Sequence, residues 1–187
     1  GQLSSGQLRE GRIEDLLGRA PIHLDDSLVQ ERFKGRTVLV TGAAGSIGSE
    51  LARQLIALGA KETVMLDNAE SALYDVEMEL RGKGQTAFTP VIGDVRDRDA
   101  MDRLLAQVKP EVIFHAAAYK HVPLMEAQPE QAVRTNIGGT RTMADLALEH
   151  GVKEFILIST DKAVNPTSVM GATKRCAELY VQSLNGP

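Results

Sequence analysis

Several kinds of feature are missing from this chain, and each absence excludes a class of function. A single cysteine, Cys176, stands in 187 residues, so no internal disulfide can form and no oxidising compartment is needed. Four scattered histidines and that one cysteine show no ligand spacing, so no metal site is expected. The formal net charge is -4, and no basic surface for nucleic acid is implied. No apolar run approaches the roughly 18 residues of a membrane span, and no charged-then-apolar leader opens the chain. The segment as given reads as cytoplasmic, without membrane contact of its own. There is no internal repeat, no low-complexity tract and no GK[ST] of a Walker loop.

The composition that remains is that of a globular domain, 43% hydrophobic and 25% charged. Residues 1–36 read as a polar, then weakly amphipathic, lead-in, with "IEDLLGR" as a short surface helix. Residues 37–187 alternate strand and helix. "TVLVT" (37–41), "TVMLD" (63–67), "TAFTPVIGD" (86–94), "EVIFHAAA" (111–118) and "EFILIS" (154–159) are short β-branched or apolar runs. Pro90 leaves the middle of the third uncertain. Helical spacing links them: Ile47, Leu51, Leu55 and Leu58 before Gly59; a helix from about Glu70 to Arg81; "RDRDAMDRLLAQV"; a long helix from Pro129 to His150; and a last one from Gly171 to Leu184. Buried strands alternating with helices imply an α/β doubly wound parallel sheet in the order 3-2-1-4-5.

In "VTGAAGSIGSE", Gly42, Gly45 and Gly48 stand three apart between the first strand and a helix. Glycine serves there for a tight turn, for close approach to a pyrophosphate and for helix–strand packing, and the helix start offers free N–H groups to the anion. Ser46 reads as a phosphate ligand at that start. The second strand ends in Asp67, whose carboxylate can accept both hydroxyls of an adenosine ribose and would repel a 2′-phosphate. NAD is therefore favoured over NADP. The alternative is that Asp67 merely caps the next helix.

These residues resemble the extended branch of the short-chain dehydrogenase/reductase superfamily. "TGAAGSIG" matches its TGxxGxxG, with Ile47 inside it. "GDVRD" (93–97) is similar to its adenine-binding turn, with Asp94 and Val95 in place. "HAAA" (115–118) is similar to its strand end against which the cofactor lies, with Ala116, Ala117 and Ala118. Asn136 in "TNIGGT" matches the asparagine of its long helix. The resemblance adds Asn68 to the cofactor contacts.

"STDKAVNPTSVMGATK" (159–174) crowds polar groups behind the fifth strand. In an open α/β sheet the strand carboxyl ends face the ligand crevice. The plain alternative is a solvated surface turn. Met170 and Lys174, four apart, share a helix face. The superfamily has Tyr-x-x-x-Lys here, but this chain has methionine, which does no acid–base chemistry. With "HAAAYKHVPLME" (115–126) and "DLLGR" (15–19), the stretch closely resembles bacterial polysaccharide-biosynthesis nucleotide-sugar 4,6-dehydratases, the large membrane-anchored type with methionine at the tyrosine position. The likeness covers nearly all of 13–185.

That resemblance implies a UDP-N-acetylglucosamine 4,6-dehydratase of capsule, O-antigen or glycan assembly, anchored to the inner membrane in its full length with this domain on the cytoplasmic side. Thr160, Asp161, Lys162, Met170 and Lys174 form the implied catalytic set. Lys162 is the base at carbon 5, its pKa lowered by burial. Asp161 is the acid toward the departing hydroxyl. Thr160 handles the carbon-4 hydroxyl and Lys174 holds the ribose. Lys120, His121, Asn136 and Asn165 are candidate contacts to a UDP-N-acetylhexosamine, with a structural loop histidine as the alternative for His121. Cys176 reads as buried packing. The chain itself is expected to be the cofactor half of a larger homo-oligomeric protein, without the small substrate domain, and inactive alone. A nucleotide-sugar epimerase or reductase, and a non-catalytic nucleotide-binding module, stay open as alternatives.

Overall fold

The run "TVLVT" forms strand β1 (Thr37–Thr41), buried along its whole length, because it is flanked by strands on both sides and by helices on both faces. The computed structural model describes residues 26–185. The expected helix at "IEDLLGR" lies outside them. β1 pairs in parallel with β2 (Glu62–Asp67) and with β4 (Val112–His115). β2 pairs with β3 (Phe88–Ile92), and β4 with β5 (Glu154–Leu157). The order is β3-β2-β1-β4-β5, as expected.

The helices are α1 (Asp26–Phe33), α2 (Ser46–Ala57), α3 (Glu70–Gly82), α4 (Arg98–Val108), α5 (Val122–Ala127), α6 (Pro129–Ala132), α7 (Thr140–Glu149) and α8 (Val169–Ser183). On one sheet face, Val38 and Val40 meet Ala52, Leu55 and Ile56 of α2 and Leu73, Val76 and Leu80 of α3. On the other, Leu39, Leu66 and Ile113 meet Met101 and Leu105 of α4 and Met143 and Leu146 of α7. Alternate residues of one strand thus fill two cores, which is why "VLV" is apolar throughout.

Four details depart from the sequence expectation. Pro90 is inside β3, paired with Met65. β3 is an edge strand, so the missing N–H breaks no ladder. β4 and β5 end at His115 and Leu157, short of the apolar runs, because Ala116–Ala118 and Ile158–Thr160 leave the sheet at the crevice. β5 is half-buried rather than buried, being the other edge. The long helix is not uniform: residues Val133–Gly139, between α6 and α7, form a π-helical stretch. Part of the lead-in also docks. Phe33 of α1 packs on Phe114, with ring centroids 5.6 Å apart, and Arg32 and Arg36 both reach Glu154.

Candidate active site

The loop after β1 is built by backbone contact. A Cβ on Gly48 would lie 2.0 Å from the Gly42 carbonyl oxygen, so no other residue lets α2 begin so close to the strand. Gly45 precedes α2, and no side chain caps the helix start. Asp67, at the end of β2, ties this loop down. Its Oδ2 accepts from Ala44 N at 2.8 Å and its Oδ1 from Ala69 N at 2.9 Å. The carboxylate therefore braces the glycine loop and the entry to α3 together, and each oxygen keeps a further lone pair.

A cavity of about 500 Å³ opens at the carboxyl ends of the strands. Every expected cofactor residue lines it: Gly42, Gly45, Ser46, Ile47 and Gly48 at the centre; Asp67, Asn68, Asp94 and Val95 at one end; Ala116, Ala117 and Ala118 along one wall; Lys174 at the other end. Asp94 is gripped by Arg96, whose backbone N–H and Nε donate to Oδ1 at 2.9 Å and whose Nη2 donates to Oδ2. That guanidinium holds the Asp94 carboxyl below the usual carboxylate range, so it is ionised at neutral pH.

Two positions at the site were not singled out from the sequence. His115, the last residue of β4, is fully buried behind the alanine wall. Its Nδ1 pairs with Thr41 Oγ1 at 2.8 Å and its Nε2 with Thr140 Oγ1 at 3.1 Å, while Thr41 Oγ1 also accepts from Ala117 N. Burial, and secondarily the Lys174 charge, push its pKa down to about 3, so the imidazole is neutral. A histidine closing an apolar strand run was the available signal. Thr135, in the π-helical stretch, lines the cavity with a buried hydroxyl that has no hydrogen-bond partner among the described residues. A helix that departs from α geometry often does so at a functional site, but nothing in "TNIGGT" announces the departure.

At the far end stand Ser159, Thr160, Lys162, Met170 and Lys174. Ser168 caps α8, accepting from Gly171 N at 3.1 Å, and so fixes where Met170 and Lys174 point. Lys174 is 5% exposed, and its Nζ donates to Ile158 O at 2.6 Å. Desolvation lowers its pKa. Met170, 2% exposed, packs with Met125 and Ala132 in a small apolar cluster of its own while its edge meets the cavity.

Several expectations need correction. Lys162 is not buried: its side chain is 56% exposed at the rim. Asp161 does not line the cavity; its side chain is 88% exposed. There Thr160 Oγ1 donates to its Oδ1 at 3.0 Å, with Lys162 Nζ at 3.5 Å, and these contacts lower its pKa, the threonine bond first. Asn136 does not line the cavity; its amide is buried and hydrogen-bonded to protein partners. Asn165 lies outside the cavity in a left-handed turn, φ 47°. Lys120 lines the cavity, 3.5 Å from Ser46 Oγ across its mouth. His121 instead lines a neighbouring pocket of about 270 Å³. Cys176 is exposed on the outer face of α8.

Residues 38–186, the whole sheet and its crevice, match the family described as "Polysaccharide biosynthesis protein". This chain belongs to that family. Over 186 residues it is 50% identical to the probable polysaccharide biosynthesis protein EpsC of Bacillus subtilis, covering 98% of this chain and 31% of that protein. It is 34% identical to a UDP-N-acetylglucosamine 4,6-dehydratase (inverting) of Campylobacter jejuni, over 82% of this chain and 45% of that one. Among solved structures, DesIV of Streptomyces venezuelae, a dTDP-glucose 4,6-dehydratase crystallised with NAD, superposes with a TM-score of 0.70 at 29% identity, over 80% of this chain and 51% of DesIV. The chain thus spans a third to a half of these family relatives. None of its described helices is long and apolar enough to cross a membrane.

Proposed function

We propose that this chain binds NAD and is the cofactor-binding part of a nucleotide-sugar 4,6-dehydratase acting on UDP-N-acetylglucosamine for polysaccharide assembly. The observation that carries the reading is one continuous cavity joining Asp67 and Asp94, the glycine loop, and Thr160, Lys162, Met170 and Lys174. The residues present fit a dinucleotide. The uncapped start of α2, which Gly48 lets begin against the strand, offers N–H groups to a diphosphate. Asp67 offers its free lone pairs to ribose hydroxyls, which favours NAD over NADP. The unpartnered Thr135 hydroxyl supplies a further polar contact in the wall. The relatives named as dehydratases support the reaction class.

A bound nicotinamide would supply a hydride acceptor for carbon 4 of the sugar and a hydride donor for carbon 6, with no net consumption of cofactor. The chain's own residues handle the protons. Lys174 would hold the ribose. Thr160 accepts the carbon-4 hydroxyl proton in place of tyrosine as it passes its own to Asp161, and Met170 keeps that end dry without a proton of its own. Lys162 removes the carbon-5 proton made acidic by the ketone and gives a proton back to carbon 5 when hydride arrives at carbon 6. Asp161 protonates the hydroxyl leaving carbon 6 as water. To act as an acid, Asp161 must turn inward from its solvated position, and the loss of water around it raises its pKa.

The test is incubation of the full-length protein with UDP-N-acetylglucosamine. A UDP-4-keto-6-deoxy sugar without net NADH is the expected product, lost in the Lys162→Ala and Asp161→Asn variants. A 4-epimer, net NADH, or full turnover by either variant would refute the assignment.

A further inference from the structure

Strand β5 carries the reactive turn: Glu154–Leu157 runs straight into Ile158, Ser159, Thr160, Asp161 and Lys162. Among the described residues it is an edge strand, paired only with β4 and over four residues. Its carboxyl end anchors Lys174, whose Nζ donates to Ile158 O. A short strand with one neighbour opens more readily than a central one.

At the amino end of β5 the lead-in supplies a second hold. Both oxygens of the Glu154 carboxylate are taken by one short segment. Arg32 Nε and Nη2 donate to Oε2 at 3.0 and 2.6 Å, and Arg36 Nη1 donates to Oε1 at 2.8 Å. A single exposed ion pair contributes little, but two guanidinium groups closing on one carboxylate fix its position. The segment is itself stitched to the other side of β1. Gly35, at φ 74°, donates its N–H to Gly59 O at 2.9 Å, and Arg36 O accepts from Lys61 N at 2.8 Å. Residues 32–36 thus cross the amino ends of the strands, from the turn before β2 to β5, with Phe33 seated on Phe114 of β4. This strap precedes the matched family region, which begins at residue 38, whereas the match to EpsC takes in 98% of the chain.

We infer that residues 32–36 are a positioning strap for the reactive end of the cavity, with Glu154 as its receiving group. β5 passes the restraint along its length to Ile158, and from there to Lys174 and to the turn that bears Thr160 and Lys162. The adenosine end, built at the carboxyl ends of β2 and β3, does not depend on it. The effect on ligand rests on the dinucleotide reading above, while the hold on β5 does not.

The test reads both parts in this chain, by hydrogen exchange of the Ile158 amide, which donates to His115 O, and by calorimetric titration of NAD and of ADP, which lacks the second ribose and the nicotinamide. Replacing Arg32 and Arg36 together by alanine leaves the backbone bonds of the strap in place. The pair is expected to speed Ile158 exchange about tenfold, to weaken NAD about fivefold and to leave ADP within about twofold. Glu154→Arg alone should do the same. Combined with Arg32→Glu and Arg36→Glu, which restore opposite charges in reverse order, it should return NAD affinity to within about twofold of the wild type. Unchanged Ile158 exchange overturns the strap itself. Faster exchange with equal losses of NAD and ADP, with no loss of either, or without recovery in the reversed set overturns its positioning role. A wild-type chain that binds neither ligand overturns the dinucleotide reading, and the positioning role with it, whatever the exchange result.

Discussion

Replacing Gly171 by alanine tests the packing that shapes the reactive end. Gly171 lies in the first turn of α8, and a Cβ there would meet the Lys162 carbonyl oxygen at 2.2 Å, with Pro166 Cβ at 3.2 Å. An ordinary carbon–oxygen contact is about 3.3 Å, so helix or turn must retreat by about 1 Å. The obstacle is backbone, which no rotamer change relieves. Overpacking of this kind costs about 2–3 kcal/mol, while alanine returns at most about 1 kcal/mol of helix propensity. The net loss is about 1–2 kcal/mol, or roughly 2–8 °C in Tm for a domain of this size. Gly82→Ala is the control: it ends α3 with nothing within 4 Å of its added Cβ, and it should hold or raise Tm. Turnover of the full-length Gly171→Ala protein should fall about a hundredfold, because the displaced turn carries Thr160 and Lys162. A Gly171→Ala chain that melts at or above the wild-type temperature would show that the close approach of α8 to Lys162 does not exist.

Three further outcomes follow from the same geometry. His115 titrates near 6.5 when unfolded and about 3 when folded, so the unfolded chain binds more protons between those values and stability falls as pH drops through them. Between pH 6 and pH 5 this group alone removes about 1.2 kcal/mol, read as a drop in the urea midpoint, and a flat profile there would contradict its burial. Asp67→Asn weakens a charge-assisted grip on the Ala44 and Ala69 N–H groups, costing about 1.5–3 kcal/mol, and narrows the preference for NAD over NADP in parallel titrations. Lys174→Met deletes a buried cation and leaves a side chain of similar volume, so Tm should hold within about 2 °C while NAD affinity drops at least tenfold by about 1.4 kcal/mol or more; a matched loss of both would make the lysine merely structural.

The strand order, the helices that follow the first three strands and the residues lining one end of the cavity were legible in the sequence. Each rests on rules that act over a few residues: apolar β-branched runs, helical spacing, and glycines where backbone must pass backbone. Asp67 illustrates the limit. Its position at the end of β2 marks it for the crevice, but the bond from Ala44, 23 residues away in sequence, shows that it also braces the glycine loop. Neither of the readings weighed for it, ribose contact or helix cap, names that bracing role. The errors share one cause. Lys162 and Asp161 were placed by motif, and a motif carries no information about which way a side chain turns at a cavity rim. Asn136 was assigned to substrate because its partners, Tyr119 and Thr173, meet it only after β4, the π-helical turn and α8 have packed together.

Met170 marks the division most plainly. The sequence by itself determined that no tyrosine chemistry occurs at this position, because a thioether has no proton to exchange. Only the tertiary structure decided what the methionine does instead. It is 2% exposed against Met125 and Ala132, on a helix turn held by Ser168, Glu126 and Thr173. Sequence patterns record what a residue is chemically able to do. Packing and long-range hydrogen bonds, whose energies depend on groups dozens of positions away, select which of those abilities is used.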